Sequence, residues 1–124
     1  MKKTDSKLID SSVWLAYLFN NSYSDTIESN EILLLSVLSL YEVKRKLIKS
    51  KIDNNKITRS MEFIKKRSLI IPVSEEICEK AVNLSLEKNL SIVDSIIYAT
   101  ATLNNSILLT LDNDFRGLND VDLP

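Results

Sequence analysis

The sequence predicts an α/β fold, a three-layer α/β/α sandwich around a central parallel sheet of four or five strands. Two observations carry this. Short apolar runs of three to five residues alternate with longer amphipathic segments, the pattern of β-strands joined by helical crossovers. The runs themselves are continuously apolar rather than alternating, as strands covered on both faces must be.

In chain order, Lys7-Leu8-Ile9 is a short strand ending at Asp10. Ser11 or Ser12 can cap a helix carrying Trp14, Leu15, Leu18 and Phe19, which Asn20 and Asn21 break. A second short helix is expected over 24–30. Ile32 to Leu35 reads as a buried strand, and Ser36 or Ser39 opens a helix to about Lys51. Asp53-Asn54-Asn55 marks a turn before a helix to about Arg67. Leu69 to Val73 is a third strand with Pro72 near its end. Ser74 caps a helix to about Lys88, and Ser91 opens another to about Leu103, closed by Asn104-Asn105. Ile107 to Leu111 is a fourth strand, and the tail holds at most one short strand near Val121. With 124 residues and no linker, repeat or low-complexity stretch, one domain over 1–124 is expected.

Composition narrows the chemistry. There is no histidine, which excludes Ser-His-Asp and Cys-His catalysis and every histidine metal site. A single cysteine, Cys78, excludes disulfides within the chain, and its apolar helical context reads as a small core position. A single glycine, Gly117, excludes phosphate-binding glycine loops. Carboxylates without His or Cys suit hard cations such as Mg²⁺ or Mn²⁺. The formal charge of −1 argues against a strongly basic nucleic-acid binder but allows a local basic patch. Residues 1–7 are polar, and no apolar run approaches the ~20 residues of a membrane span, so no signal peptide or membrane association is expected and a cytoplasmic location is.

Four carboxylates stand out, each with a plainer alternative. Asp10 follows the first strand, where an acid may simply start the next helix. Asp112 follows the fourth, but Asp112-Asn113-Asp114 is also ordinary turn chemistry. Asp94 lies three residues after Ser91, the spacing of a capped helix start. Its helix is apolar on nearly every side and should be buried, so an unpartnered carboxylate there is costly. Glu42 can form a surface ion pair with Arg45 or Lys46. In a parallel three-layer fold all four project from one sheet edge, where clustered like charges call for a cation.

Leu8-Ile9-Asp10-Ser11-Ser12, Tyr41-Glu42-Val43, Val93-Asp94-Ser95-Ile96-Ile97-Tyr98-Ala99-Thr100-Ala101 and Leu109-Thr110-Leu111-Asp112-Asn113-Asp114-Phe115 together resemble the motifs of the PIN domain, with VapC-type toxin nucleases of prokaryotic toxin–antitoxin pairs as the nearest group. The resemblance covers nearly the whole chain in the right order. It implies a dimerising parallel-sheet protein that cleaves RNA with one or two Mg²⁺ or Mn²⁺ ions, and an antitoxin partner. It makes Asp10, Glu42, Asp94 and Asp112 the catalytic and metal-binding quartet, with Ser11, Thr110 and Asp114 in support. Asp10, Asp94 and Asp112 would meet the metal directly or through water, and Glu42 would bind or orient a second ion or its water. The basic segment with Lys44, Arg45, Lys46 and Lys49 is either a solvated helix face or a contact for RNA phosphates. Exposed apolar residues around Trp14 to Tyr23 and Leu47 to Ile64 would serve a dimer or an antitoxin. Rival readings are a PIN-domain nuclease of RNA processing and a non-catalytic module whose acidic pocket docks a partner's basic side chain. A receiver domain wants an acidic pair at the first strand and a lysine after the last. A haloacid-dehalogenase-type phosphatase wants Asp-x-Asp where this chain has Asp10-Ser11-Ser12.

Overall fold

The computed structural model describes residues 6–124; the polar stretch at 1–5 lies outside the described residues. The elements are β1 (Ser6–Ile9), α1 (Ser11–Asn20), α2 (Ser24–Ile27), β2 (Ile32–Ser36), α3 (Val37–Lys49), α4 (Asn54–Arg67), β3 (Leu69–Ile71), α5 (Glu75–Lys88), α6 (Ile92–Leu103), β4 (Ile107–Leu109) and β5 (Val121–Asp122). The strands form one five-stranded sheet in the order β3-β2-β1-β4-β5, parallel throughout. This is the predicted three-layer α/β arrangement.

The pleat assigns the layers. Leu8, Leu34 and Leu108 point to one face, where they pack with Ile77, Ala81 and Leu84 of α5 and Ile97 to Ala101 of α6. Ile9, Leu33, Leu35 and Leu109 point to the other, against Val13 and Trp14 of α1, Ile27 of α2, Val43 and Leu47 of α3, and Ile57, Met61 and Ile64 of α4. Adjacent apolar residues therefore feed opposite cores, which is why the strands read as unbroken apolar runs.

Helix starts use side-chain caps. Ser36, Asp53, Ser74 and Ser91 each accept a backbone N–H of the first turn of α3, α4, α5 and α6. Stops use asparagine. With one glycine available, Asn21, Asn89 and Asn105 take the left-handed positions after α1, α5 and α6, at φ 57°, 56° and 52°. Arg67 ends α4 and donates to the carbonyls of Ile27, Ser29 and Glu31 at 2.5, 3.0 and 2.9 Å, fixing the approach to β2.

Several expectations need correction. The second short helix stops at Ile27, and Ser29 turns the chain by donating to the Thr26 carbonyl. The fourth strand stops at Leu109, so Thr110 and Leu111 intervene before Asp112. Cys78 is exposed rather than core, because α5 buries Ile77, Ala81 and Leu84 and Cys78 lies about 100° around the helix from that stripe. Trp14, Leu47 and Ile64 are buried, and Trp14 meets Tyr17 and Phe63 edge-on at 5.9 and 6.1 Å; the apolar residues left exposed in those regions are Phe19, Ile48 and Phe63.

Leu35 is fully buried on β2, an inner strand of the sheet. Leu35→Ala is expected to cost about 2–5 kcal/mol in urea unfolding, with an unchanged far-UV spectrum. A loss below about 1 kcal/mol would contradict this account of the core.

Candidate active site

The strand order reverses direction between β1 and β4, which is where open α/β sheets leave a crevice at their carboxyl ends. Asp10 and Thr110 leave the sheet side by side there, since Ile9 pairs with Leu109 and the Asp10 N–H donates to the Leu109 carbonyl at 3.0 Å.

Asp10 occupies the cap position of α1 but does not cap it with its side chain. Its backbone carbonyl accepts from Val13 and Trp14, and its carboxylate turns instead toward β4. Oδ2 accepts from the Ser12 hydroxyl at 2.7 Å and the Thr110 hydroxyl at 2.9 Å. Those hydroxyls are themselves fixed: Ser12 Oγ accepts from the Leu111 N–H at 3.0 Å and Thr110 Oγ1 from the Asp112 N–H at 3.0 Å. Each hydroxyl thus donates to Asp10 and accepts from the segment after β4. The plain helix-start reading of Asp10 does not describe its side chain.

Asp112 does serve the turn as well. Its Oδ1 accepts from the Asp114 N–H at 2.9 Å and opens a 3₁₀ turn at Asn113–Phe115. Asp94 is likewise in a capped first turn, its N–H donating to Ser91 Oγ at 3.2 Å. Carboxylate oxygens of Asp94, Asp112 and Asp114 all lie within 4.8 Å of one another. Asp114, sequentially the last of the acids, belongs to this closest group, whereas Asp10 and Glu42 stand around it. Glu42 is in the second turn of α3, beside the buried Val43, and its carboxylate bonds Ser11 rather than Arg45 or Lys46.

The start of α6 is less buried than expected. The first turn of α6 is open, with Ile92 and Val93 exposed and Asp94 half-buried; only its later turns are enclosed. Asp10 is the deeply buried acid, at 7% exposure, because it lies under the edge formed by α1 and the 110–112 segment. It escapes the penalty of burial through two hydroxyl donors.

The charges feel one another. Burial, then the carboxylate of Asp112, pushes the Asp94 pKa up to about 6, with Asp114 and Asp10 adding to the rise and Ser91 opposing it. Burial, then Asp10, raises Glu42; Asp94 and Asp112 add to it and Ser11 opposes it. Asp94, Asp112 and Asp114 form an all-oxygen donor set of the kind hard divalent cations take, with the charges of Asp10 and Glu42 close by. Lys44, Arg45, Lys46 and Lys49 do not enter the cluster. They are exposed along α3, and Arg45 and Lys46 border a groove that reaches Ser11 and Glu42.

Neither Ser11 nor Ser12 caps α1, whose cap position is Asp10, and Ser12 is instead a supporting residue that sequence reading misses. The signal available was the doubled serine after Asp10: one hydroxyl serves Glu42 and the other serves Asp10.

A parallel α/β sandwich with carboxylates massed at its switch point defines the class. Residues 7–121 match the PIN domain family, and the chain belongs to that family. Among solved structures it resembles a toxin–antitoxin complex from Klebsiella pneumoniae, at 25% identity over 95% of this chain and 97% of that one, with a TM-score of 0.81. It also resembles VapBC2 from Rickettsia felis bound to a DNA fragment from its promoter, at 19% identity over 96% and 97% of the chains and a TM-score of 0.79. VapC20 from Mycobacterium tuberculosis, a sarcin-ricin loop cleaving toxin, matches at 14% identity over 91% and 95%, with a TM-score of 0.68. The last two bear on the fold alone. Among curated proteins no match is found.

The raised pKa of Asp94 has a stability consequence. Its folded value, about 6, exceeds the ordinary 3.8, so the fold binds this proton more tightly than the unfolded chain does. The resulting stabilisation is complete below pH 3.8 and is lost as pH rises through 6. In EDTA, Asp94→Asn is expected to raise the thermal midpoint at pH 7 and to flatten its fall between pH 4 and 7. A lowered midpoint at pH 7 with an unchanged slope would refute the charge conflict.

Proposed function

We propose that this protein is a Mg²⁺- or Mn²⁺-dependent endoribonuclease, the toxin of a toxin–antitoxin pair. The observation that carries the reading is the convergence of Asp10, Glu42, Asp94, Asp112 and Asp114 on the switch point between β1 and β4. Membership of the PIN family supports it, as do the likenesses to a toxin–antitoxin complex, to VapBC2 and to a sarcin-ricin loop cleaving toxin. An antitoxin and a second copy of the chain are the protein partners this reading brings. No helix among the described residues is long and apolar enough to cross a membrane.

In this reading Asp94, Asp112 and Asp114 offer the closest oxygens to a cation. Asp10 presents its carboxylate in one orientation, since Ser12 and Thr110 hold Oδ2. Glu42, steadied by Ser11, closes the cluster from the α3 side. These carboxylates would hold a divalent ion, which would supply an acidified water and charge compensation at the attacked phosphate. The chain's own part is positional. It gathers acids that would otherwise repel, anchors them on strand ends and helix starts, and offers no imidazole for proton transfer.

An RNA cleavage assay with Mn²⁺ against EDTA tests the reading. Wild-type protein is expected to cut a single-stranded RNA internally only with metal. Asp10→Asn and Asp94→Asn should each lose at least about a hundredfold in rate while keeping a native circular dichroism spectrum. Cleavage undiminished by EDTA, or full activity in either variant, would overturn it.

A further inference from the structure

Helix α3 carries a second feature beside Glu42. Tyr41, Lys44, Arg45, Ile48 and Lys49 recur at helical spacing and line one groove of about 580 Å³. A neighbouring groove of about 550 Å³ includes Ser11, Glu42, Arg45 and Lys46 and shares Tyr41 and Arg45 with the first. The two adjoin at Tyr41 and Arg45, and the stripe runs about 12 Å along the helix away from the carboxylates. Tyr41 is 68% exposed and Ile48 56%, high values for residues of their type. After Glu42 the helix holds four cations and no further acid.

This combination selects an occupant. An apolar face alone would suit another protein, but here each apolar residue is flanked by cations. A symmetric contact between two copies across this face would set the same three cations, Lys44, Arg45 and Lys49, against themselves. The exposed apolar residues Val82 and Ile92 of α5 and α6 share a groove with Cys78 that no basic side chain lines. A polyanion with exposed aromatic rings satisfies both features at once: phosphates meet Lys44, Arg45 and Lys49, and an unpaired base meets the Tyr41 ring.

We propose that this face of α3 is a track for single-stranded RNA, with Tyr41 stacking on an unpaired base next to the phosphate delivered to the carboxylates. The inference rests on the ribonuclease reading and deepens it by naming the helix face and the side chain that would seat the RNA. A base inside a duplex cannot offer its face to Tyr41, so the ring discriminates by strandedness rather than by sequence.

Fluorescence anisotropy with a labelled twelve-nucleotide single-stranded RNA and a duplex of the same length tests this, in the Asp94→Asn background with Mg²⁺ so that bound RNA stays intact. Tyr41→Ala should weaken single-strand binding about tenfold or more and leave duplex binding unchanged, and Tyr41→Phe should restore it. Lys44→Gln with Lys49→Gln should lower the slope of log affinity against log salt by about 1.4. In the otherwise wild-type enzyme, Tyr41→Ala should raise KM more than it lowers kcat. Equal loss on both RNAs, no loss on either, or a shift in the monomer–dimer balance of the lysine variant without change in RNA affinity would overturn the proposal. If wild-type protein cuts RNA with Mn²⁺ while Tyr41→Ala binds normally, only this inference fails. If wild-type protein cuts no RNA, the ribonuclease reading fails with it.

Discussion

The parallel pairing of β1 with β4 is the contact on which the site depends. These strands are nearly a hundred residues apart in the chain, and their register sets Ile9 against Leu109. That one register brings Asp10 beside Thr110 and lets two hydroxyls, from Ser12 and Thr110, cross-link the ends of both strands through a single carboxylate oxygen. Because a slip of one residue would exchange the two cores as well as move Asp10, apolar packing enforces the placement of the polar network. The leucines and isoleucines of the strands thereby determine the geometry of the acids.

Around that junction the fold accepts an electrostatic conflict. Asp94, Asp112 and Asp114 approach one another with no basic side chain in the cluster, and Asp94 and Glu42 are both displaced toward their protonated forms. Natural chains keep such conflicts where function requires them. The conflict is also bounded by design of the surroundings. Asp10, the deepest of the acids, is the one supplied with two hydroxyl donors, while the acids with raised values sit nearer the surface. A cation is the one addition that relieves all five at once.

Much of the architecture was legible because local signals agree with the tertiary structure. Ser74 and Ser91 cap the helices they were expected to cap, and Asn21, Asn89 and Asn105 stop helices where glycine would ordinarily stand. What was not legible depends on distant contacts. The exposure of Cys78 follows from which stripe of α5 the sheet covers, and the burial of Trp14 from the arrival of Phe63 on α4. The acids were located as candidates, but Asp94 is only half-buried, because the apolar sequence of α6 does not reveal that its first turn is open. Ser12 was overlooked because its partner, the Leu111 N–H, lies 99 residues away. The membership of Asp114 in the tightest carboxylate group follows from a 3₁₀ turn that the Asp-Asn-Asp run permits but does not dictate.

The central claim is that these carboxylates form one binding site for a divalent ion. Titrating Mn²⁺ into the protein at pH 7 while following the free-ion signal by electron paramagnetic resonance measures this directly. The account predicts saturable binding of one or two ions per chain, displaced by excess Mg²⁺ and strongly weakened by Asp112→Asn. Binding that never saturates, or that Asp112→Asn leaves untouched, would contradict it.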